Sequence, residues 1–110
     1  MKLLPDVFNR QIRLTDKHFV HLETDHPEMV GQIRKIEETL LAPDCIVRSQ
    51  TDSEVELFYK YYPNTPVTEK YLCVVVKILT DNQFMITSYF TKTIKKRGEL
   101  LYGKRSEGLV

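Results

Sequence analysis

Six side chains in this sequence are of the types that acid–base chemistry on a phosphate needs: His26, Arg48, Glu56, Lys77, Thr87 and Tyr89. An imidazole, with an ordinary pKa of about 6.5, exchanges protons near neutrality, and a carboxylate can take the same role. Two cations with hydroxyl donors can hold a phosphate and offset the charge that develops on it. Such groups act together only if the fold brings them to one face. The spacing of the chain speaks to that.

Lys77 sits in an almost wholly apolar, β-branched run from Lys70 to Leu79, which reads as a central strand covered on both faces. A polar turn over Thr80–Gln83 leads into Phe84–Thr91, where side chains alternate. Phe84, Ile86, Ser88 and Phe90 share one face there, and Met85, Thr87, Tyr89 and Thr91 the other. Upstream, Cys45–Thr51 and Glu54–Tyr62 read as two further strands joined at Asp52-Ser53. If helices cover Val55, Leu57, Tyr59 and Tyr61, then Glu56 faces the opposite way. One accessible face then collects Arg48, Glu56, Lys77, Thr87 and Tyr89. Mixed charge on the wet side of an antiparallel sheet is equally ordinary in proteins with no site there.

The N-terminal half reads as helical. Arg10–Leu14 suits a short edge strand, and Thr15 caps a helix over Asp16–Thr24, with Asp16 in the first turn where the dipole favours an acid. Pro27 suits the first position of a second helix carrying Met29, Val30, Ile33, Ile36 and Leu40, which stops before Pro43. The predicted fold is α+β in a single domain over residues 1–110. Two N-terminal helices pack on one face of a four-stranded antiparallel meander whose third strand is central.

Composition narrows the function class. An apolar fraction of 42% with 28% charged residues predicts a globular chain rather than a disordered one. No run approaches the length of a membrane span, which predicts a soluble, cytoplasmic protein with no membrane partner. Cys45 and Cys73 lie among apolar neighbours and read as buried free thiols. His18, His21 and His26 lack a matching carboxylate or cysteine pattern, so neither a metal nor a cofactor is expected. Tyr59, Tyr61, Tyr62 and Tyr71 read as core and rim aromatics rather than base-stacking platforms. The net charge of +1 conceals a basic segment over 92–105, where Lys92, Lys95, Lys96, Arg97, Lys104 and Arg105 face Glu99 alone. That segment suits a polyanion such as RNA, with Lys92, Lys95, Lys96 and Arg97 as candidate contacts; the alternative is a solvated tail.

Several of these strings carry a resemblance. His26-Pro27-Glu28, a helix containing Ile36-Glu37-Glu38-Thr39-Leu40, Arg48-Ser49, Val55-Glu56-Leu57 and the run from Lys70 to Lys77 occur in order. Together they resemble small bacterial and phage-associated members of the barnase–EndoU–colicin–RelE-like (BECR) nucleases, and Thr87-Ser88-Tyr89 is similar to the Thr-x-Tyr pattern of that superfamily's last strand. The likeness runs from about Ile12 to Gly98. It implies a metal-independent endoribonuclease, toxin-like in role, in which the ribose 2′-hydroxyl attacks the adjacent phosphate. His26 or Glu56 would move protons, Arg48 and Lys77 would hold charge, and Thr87 and Tyr89 would donate. An antitoxin or immunity protein would then be a partner alongside RNA, and a homodimer is open. The competing expectation is a non-catalytic RNA- or protein-binding module on the same scaffold.

Overall fold

The apolar run from Tyr71 to Ile78 forms the middle strand of a seven-stranded sheet. In the computed structural model, which describes residues 1–68 and 70–104, the elements follow in order. They are β1 (Lys2–Pro5), β2 (Gln11–Leu14), α1 (Asp16–Asp25), a 3₁₀ turn (Pro27–Met29), α2 (Ile33–Leu41), β3 (Cys45–Arg48), β4 (Val55–Tyr61), β5 (Tyr71–Ile78), β6 (Gln83–Thr91) and β7 (Leu100–Gly103). The sheet order is β1-β2-β6-β5-β4-β3-β7. All neighbours are antiparallel except β2 and β6, which run parallel and meet in register at Arg13 and Phe84.

This corrects the expected four-stranded antiparallel meander. The β3–β6 hairpins exist, but they are the interior of a larger mixed sheet. Gln11–Leu14 is not an edge strand: β1 pairs along it, from Lys2 opposite Leu14 to Pro5 opposite Gln11. Pro5 ends β1, where its missing N–H interrupts the ladder least. At the other edge β7 pairs with β3, inside the segment expected to be a basic tail. The second helix is also shorter than expected. Gly31 has φ +77, a left-handed conformation that a helix cannot pass through, so Pro27–Met29 closes as a 3₁₀ turn and α2 restarts at Ile33. Thr15 caps α1 by accepting the His18 backbone N–H.

One face of the sheet carries the main core. Leu22, Met29, Ile36 and Leu40 from the helical layer pack against Leu4, Ile12, Leu14, Ile46, Phe58, Leu72, Val74, Val76, Met85 and Phe90. Lys60 and Tyr62 fasten the end of α2 from the same side. Lys60 Nζ donates to the Ala42 carbonyl at 2.8 Å and the Tyr62 hydroxyl donates to Glu38 at 2.8 Å.

The opposite face holds a second, smaller core. Cys45, Val47, Val55, Leu57, Tyr59, Cys73 and Val75 are buried there under Ile94. The cover is the crossover from β6 to β7, residues 92–99, which runs over β5, β4 and β3 and so forms a strap. With both faces covered, Val55 through Tyr59 are all buried, and β4 shows no alternation in burial. No helix among the described residues is long and apolar enough to cross a membrane.

Candidate nucleic-acid interface

The six candidate catalytic residues do not converge. Alternation places Glu56 and Arg48 on the helix side with Phe58 and Ile46, which are register partners, while Lys77, Thr87 and Tyr89 lie on the strap side with Cys73 and Val75. The expected common face is therefore split by the sheet itself. Its error lies in β3 and β4, where Ile46 and Phe58, rather than Val47, Leu57 and Tyr59, face the helices.

Glu56, Arg48 and Lys77 each have local partners. The Arg10 guanidinium donates to Glu56 at 2.7 and 3.3 Å and to Asp6 at 2.7 Å. Asp6 and Glu56 are both buried. Burial opposes the Arg10 charge, but the hydrogen bonds from Glu56 and Asp6 together outweigh it and raise its pKa. Arg48 Nε donates to Glu99 at 3.1 Å, and its Nη1 donates to the Ser53 carbonyl at 2.9 Å. Lys77 Nζ donates to Asp52 at 2.5 Å and lies 3.5 Å from Glu54. The hydrogen bond with Asp52 raises the lysine pKa and lowers that of the carboxylate. Thr87 is the register partner of Val75 and is half-buried.

His26 and Tyr89 are the exception. Their rings lie 6.1 Å apart, tilted by 36°, and His26 Nδ1 is 3.6 Å from Glu28. The contact arises because the 3₁₀ turn packs against β6 beyond the short β2 pairing. Tyr89 then reaches inward to Cys73, whose thiol also meets the Tyr59 hydroxyl. Burial pushes that thiol up to about 12, against the two hydroxyls, which favour the thiolate. The Tyr59 and Tyr89 phenols are raised too, by burial first and by Cys73 next. Cys45 and Cys73 are both buried thiols outside any disulfide, with β4 between them, so their Cα atoms stand about 9.5 Å apart, beyond disulfide reach.

This cluster has a consequence for stability. Unfolding releases the thiol and phenols to ordinary values of 9.0 and 10.0, so above those values the folded chain holds more protons than the unfolded one. The stability from keeping them neutral is complete below those values and is lost as pH climbs toward the raised ones. The urea midpoint should hold steady from about pH 7 to 9 and then fall toward pH 12. A midpoint unchanged through about pH 11 would contradict the cluster.

The strap is the other gathering of functional groups. Ile94 enters the second core, the Lys95 backbone N–H donates to the Tyr59 hydroxyl at 3.4 Å, and the Arg48 N–H donates to the Glu99 carbonyl at 2.8 Å. Gly98 has φ +93, and a Cβ there would stand 2.3 Å from the Arg48 carbonyl oxygen, so only glycine lets the strap lie this close to β3. Lys92, Lys95, Lys96 and Arg97 are exposed along it. Lys92, Lys96 and Arg97 make no side-chain hydrogen bond or ion pair among the described residues. Lys104 follows β7 and is exposed, whereas Arg105 lies outside the described residues. The segment is thus a pinned crossover, not a solvated tail. The signals in the sequence were Ile94 and Gly98, an apolar residue and a glycine among charges.

Comparison with known proteins adds no assignment: no family model, curated protein or solved structure matches this chain.

Proposed function

We propose that this chain is a non-catalytic RNA-binding module and that the strap makes the contact. The observation that carries this is a contrast between two sets of cations. Arg48 and Lys77 are already held by Glu99, Asp52 and Glu54. Lys92, Lys96 and Arg97 stand exposed on a segment fixed by Ile94, Gly98 and Arg48. Binding phosphates with the second set breaks no existing ion pair among the described residues, and a pinned backbone loses little freedom on binding.

Phosphate contacts release counterions, so affinity should fall steeply with salt. Each single-strand phosphate neutralised contributes about 0.7 to the slope of log K against log salt. The variant Lys92→Ala/Lys96→Ala/Arg97→Ala should bind more weakly and flatten that slope by about 2. Titrating both proteins with one labelled RNA at several salt concentrations tests this. Equal affinities and equal slopes would end the proposal.

A second reading keeps the BECR-type activity and rests on the His26–Tyr89 ring contact, which brings two of the six candidate residues together. Metal-independent cleavage would then run on that pair, without Arg48, Glu56 or Lys77. Incubating RNA with the purified protein in chelator, beside His26→Ala, separates the readings. Cyclic-phosphate ends that disappear in the variant would favour the enzyme, and intact RNA the binding module.

A further inference from the structure

Four tyrosines on or beside β4 and β5 fall into two groups. Tyr59 is buried, and Tyr62 packs against the main core with its hydroxyl on Glu38. Tyr61 and Tyr71 instead reach the surface, Tyr61 being 50% exposed, with rings 5.5 Å apart in an edge-to-face pair at an interplanar angle of 68°. They are register partners on β4 and β5, and Tyr71 also packs against the second core, so both lie on the strap side. The strap begins beside them. Thr91 is the register partner of Tyr71, and Lys92 is the next residue. Along β4, Tyr61 is two residues beyond Tyr59, about 6.7 Å, and Tyr59 is where the Lys95 N–H is bound.

We infer that Tyr61, supported by Tyr71, is a base-stacking platform and that the strap face selects single-stranded over duplex nucleic acid. The inference rests on the RNA-binding reading above and adds a specificity to it. An aromatic that stacks a base must meet an unpaired one, because a duplex keeps its base faces inside. The chemistry around Tyr61 favours a base over a phosphate. Asp44 lies against it, accepting the Tyr61 backbone N–H at 2.7 Å, and its charge repels a phosphate at that point. The cations lie farther along, on the strap. Tyr71 holds the Tyr61 ring edge-on, which leaves less side-chain freedom to lose when a base stacks.

The test uses the full chain with a labelled single-stranded RNA, the same sequence as a blunt RNA duplex, and the same sequence as single-stranded DNA. Wild type should bind the single strand at least about tenfold more tightly than the duplex. Stacking is worth about 1–3 kcal/mol per base, so Tyr61→Ala should lose about 5- to 150-fold in single-strand affinity. Duplex affinity should not change, and Tyr61→Phe should retain the wild-type preference. DNA should bind within about threefold of RNA, because stacking does not read the 2′-hydroxyl. Tyr61 lies on the surface, so its circular dichroism and melting temperature serve as a check that the variant is folded. If Tyr61→Ala keeps full single-strand affinity while the triple strap variant loses it, the stacking platform is overturned and the strap reading stands. If wild type binds neither form, both fall. Equal affinity for single strand and duplex overturns the specificity alone.

Discussion

Replacing Glu56 by alanine should destabilise the fold by about 3 kcal/mol, the lower limit for removing one partner of a buried ion pair, because Arg10 keeps Asp6. Glu56 is 7% exposed and Asp6 3%, and Arg10 bridges them with its side chain 22% exposed. Water also reaches part of the guanidinium, which holds the loss at that limit. Asp6 also accepts the Phe8 and Arg10 backbone N–H groups at 3.0 and 2.7 Å, so it organises the β1–β2 turn that aims Arg10 at Glu56. Urea unfolding of Glu56→Ala and Glu56→Gln checks this. The glutamine, which keeps the shape and an acceptor, should lose less than the alanine. A loss under about 1 kcal/mol for alanine would free Glu56 from this structural role.

Ile94→Ala should be the second large effect. Truncating a buried isoleucine costs about 2–5 kcal/mol through lost burial and the cavity left behind, and Ile94 is 8% exposed over the second core. Relief is available if the strap lifts, which would hold the cost near the lower limit but unpin Lys92, Lys96 and Arg97. RNA affinity should then fall although no cation is removed. The buried Cys73 thiol beneath the strap is an internal gauge, since lifting the strap lets an alkylating reagent in. Wild-type alkylation rates together with wild-type affinity would show that Ile94 does not hold the strap.

The parts of the fold legible in the sequence were those governed by neighbours. The Thr15 cap, α1 and the β5 run follow from local spacing and β-branching, and their limits fall within a residue or so of those expected. What could not be read depends on distant parts of the chain. Facing in β4 was lost because the strap, not the helices, buries Val55, Leu57 and Tyr59, so that both sides are covered and no polar alternation is left to read. In β6 a bulge intervenes: Thr87 pairs with Val75 and Met85 with Val76, so Ile86 is the extra residue. That turns Ile86 outward and Met85 into the core, the reverse of the simple alternation. The separation of the candidate residues was illegible for a similar reason. Arg10 lies 46 positions from Glu56 and Arg48 lies 51 from Glu99, and no local pattern announces such pairs. Residue type showed which groups could do chemistry, but their partners decide whether they are available for it.

The parallel junction between β2 and β6 has a consequence for how the molecule breathes. Among the described residues a single register pair, Arg13 with Phe84, joins the N-terminal hairpin to the rest of the sheet, and Arg13 Nε is buried there without a hydrogen-bond partner among them. The hairpin is therefore attached by the burial of Leu4, Ile12 and Leu14 more than by a ladder. Its directional ties lie elsewhere, in the Arg10–Glu56 ion pair and the Val7 N–H on the Leu40 carbonyl, while the apolar part of the attachment weakens on cooling. In hydrogen-exchange terms the expected result is that the amides of β1 and β2 exchange ahead of those in the β3–β6 meander.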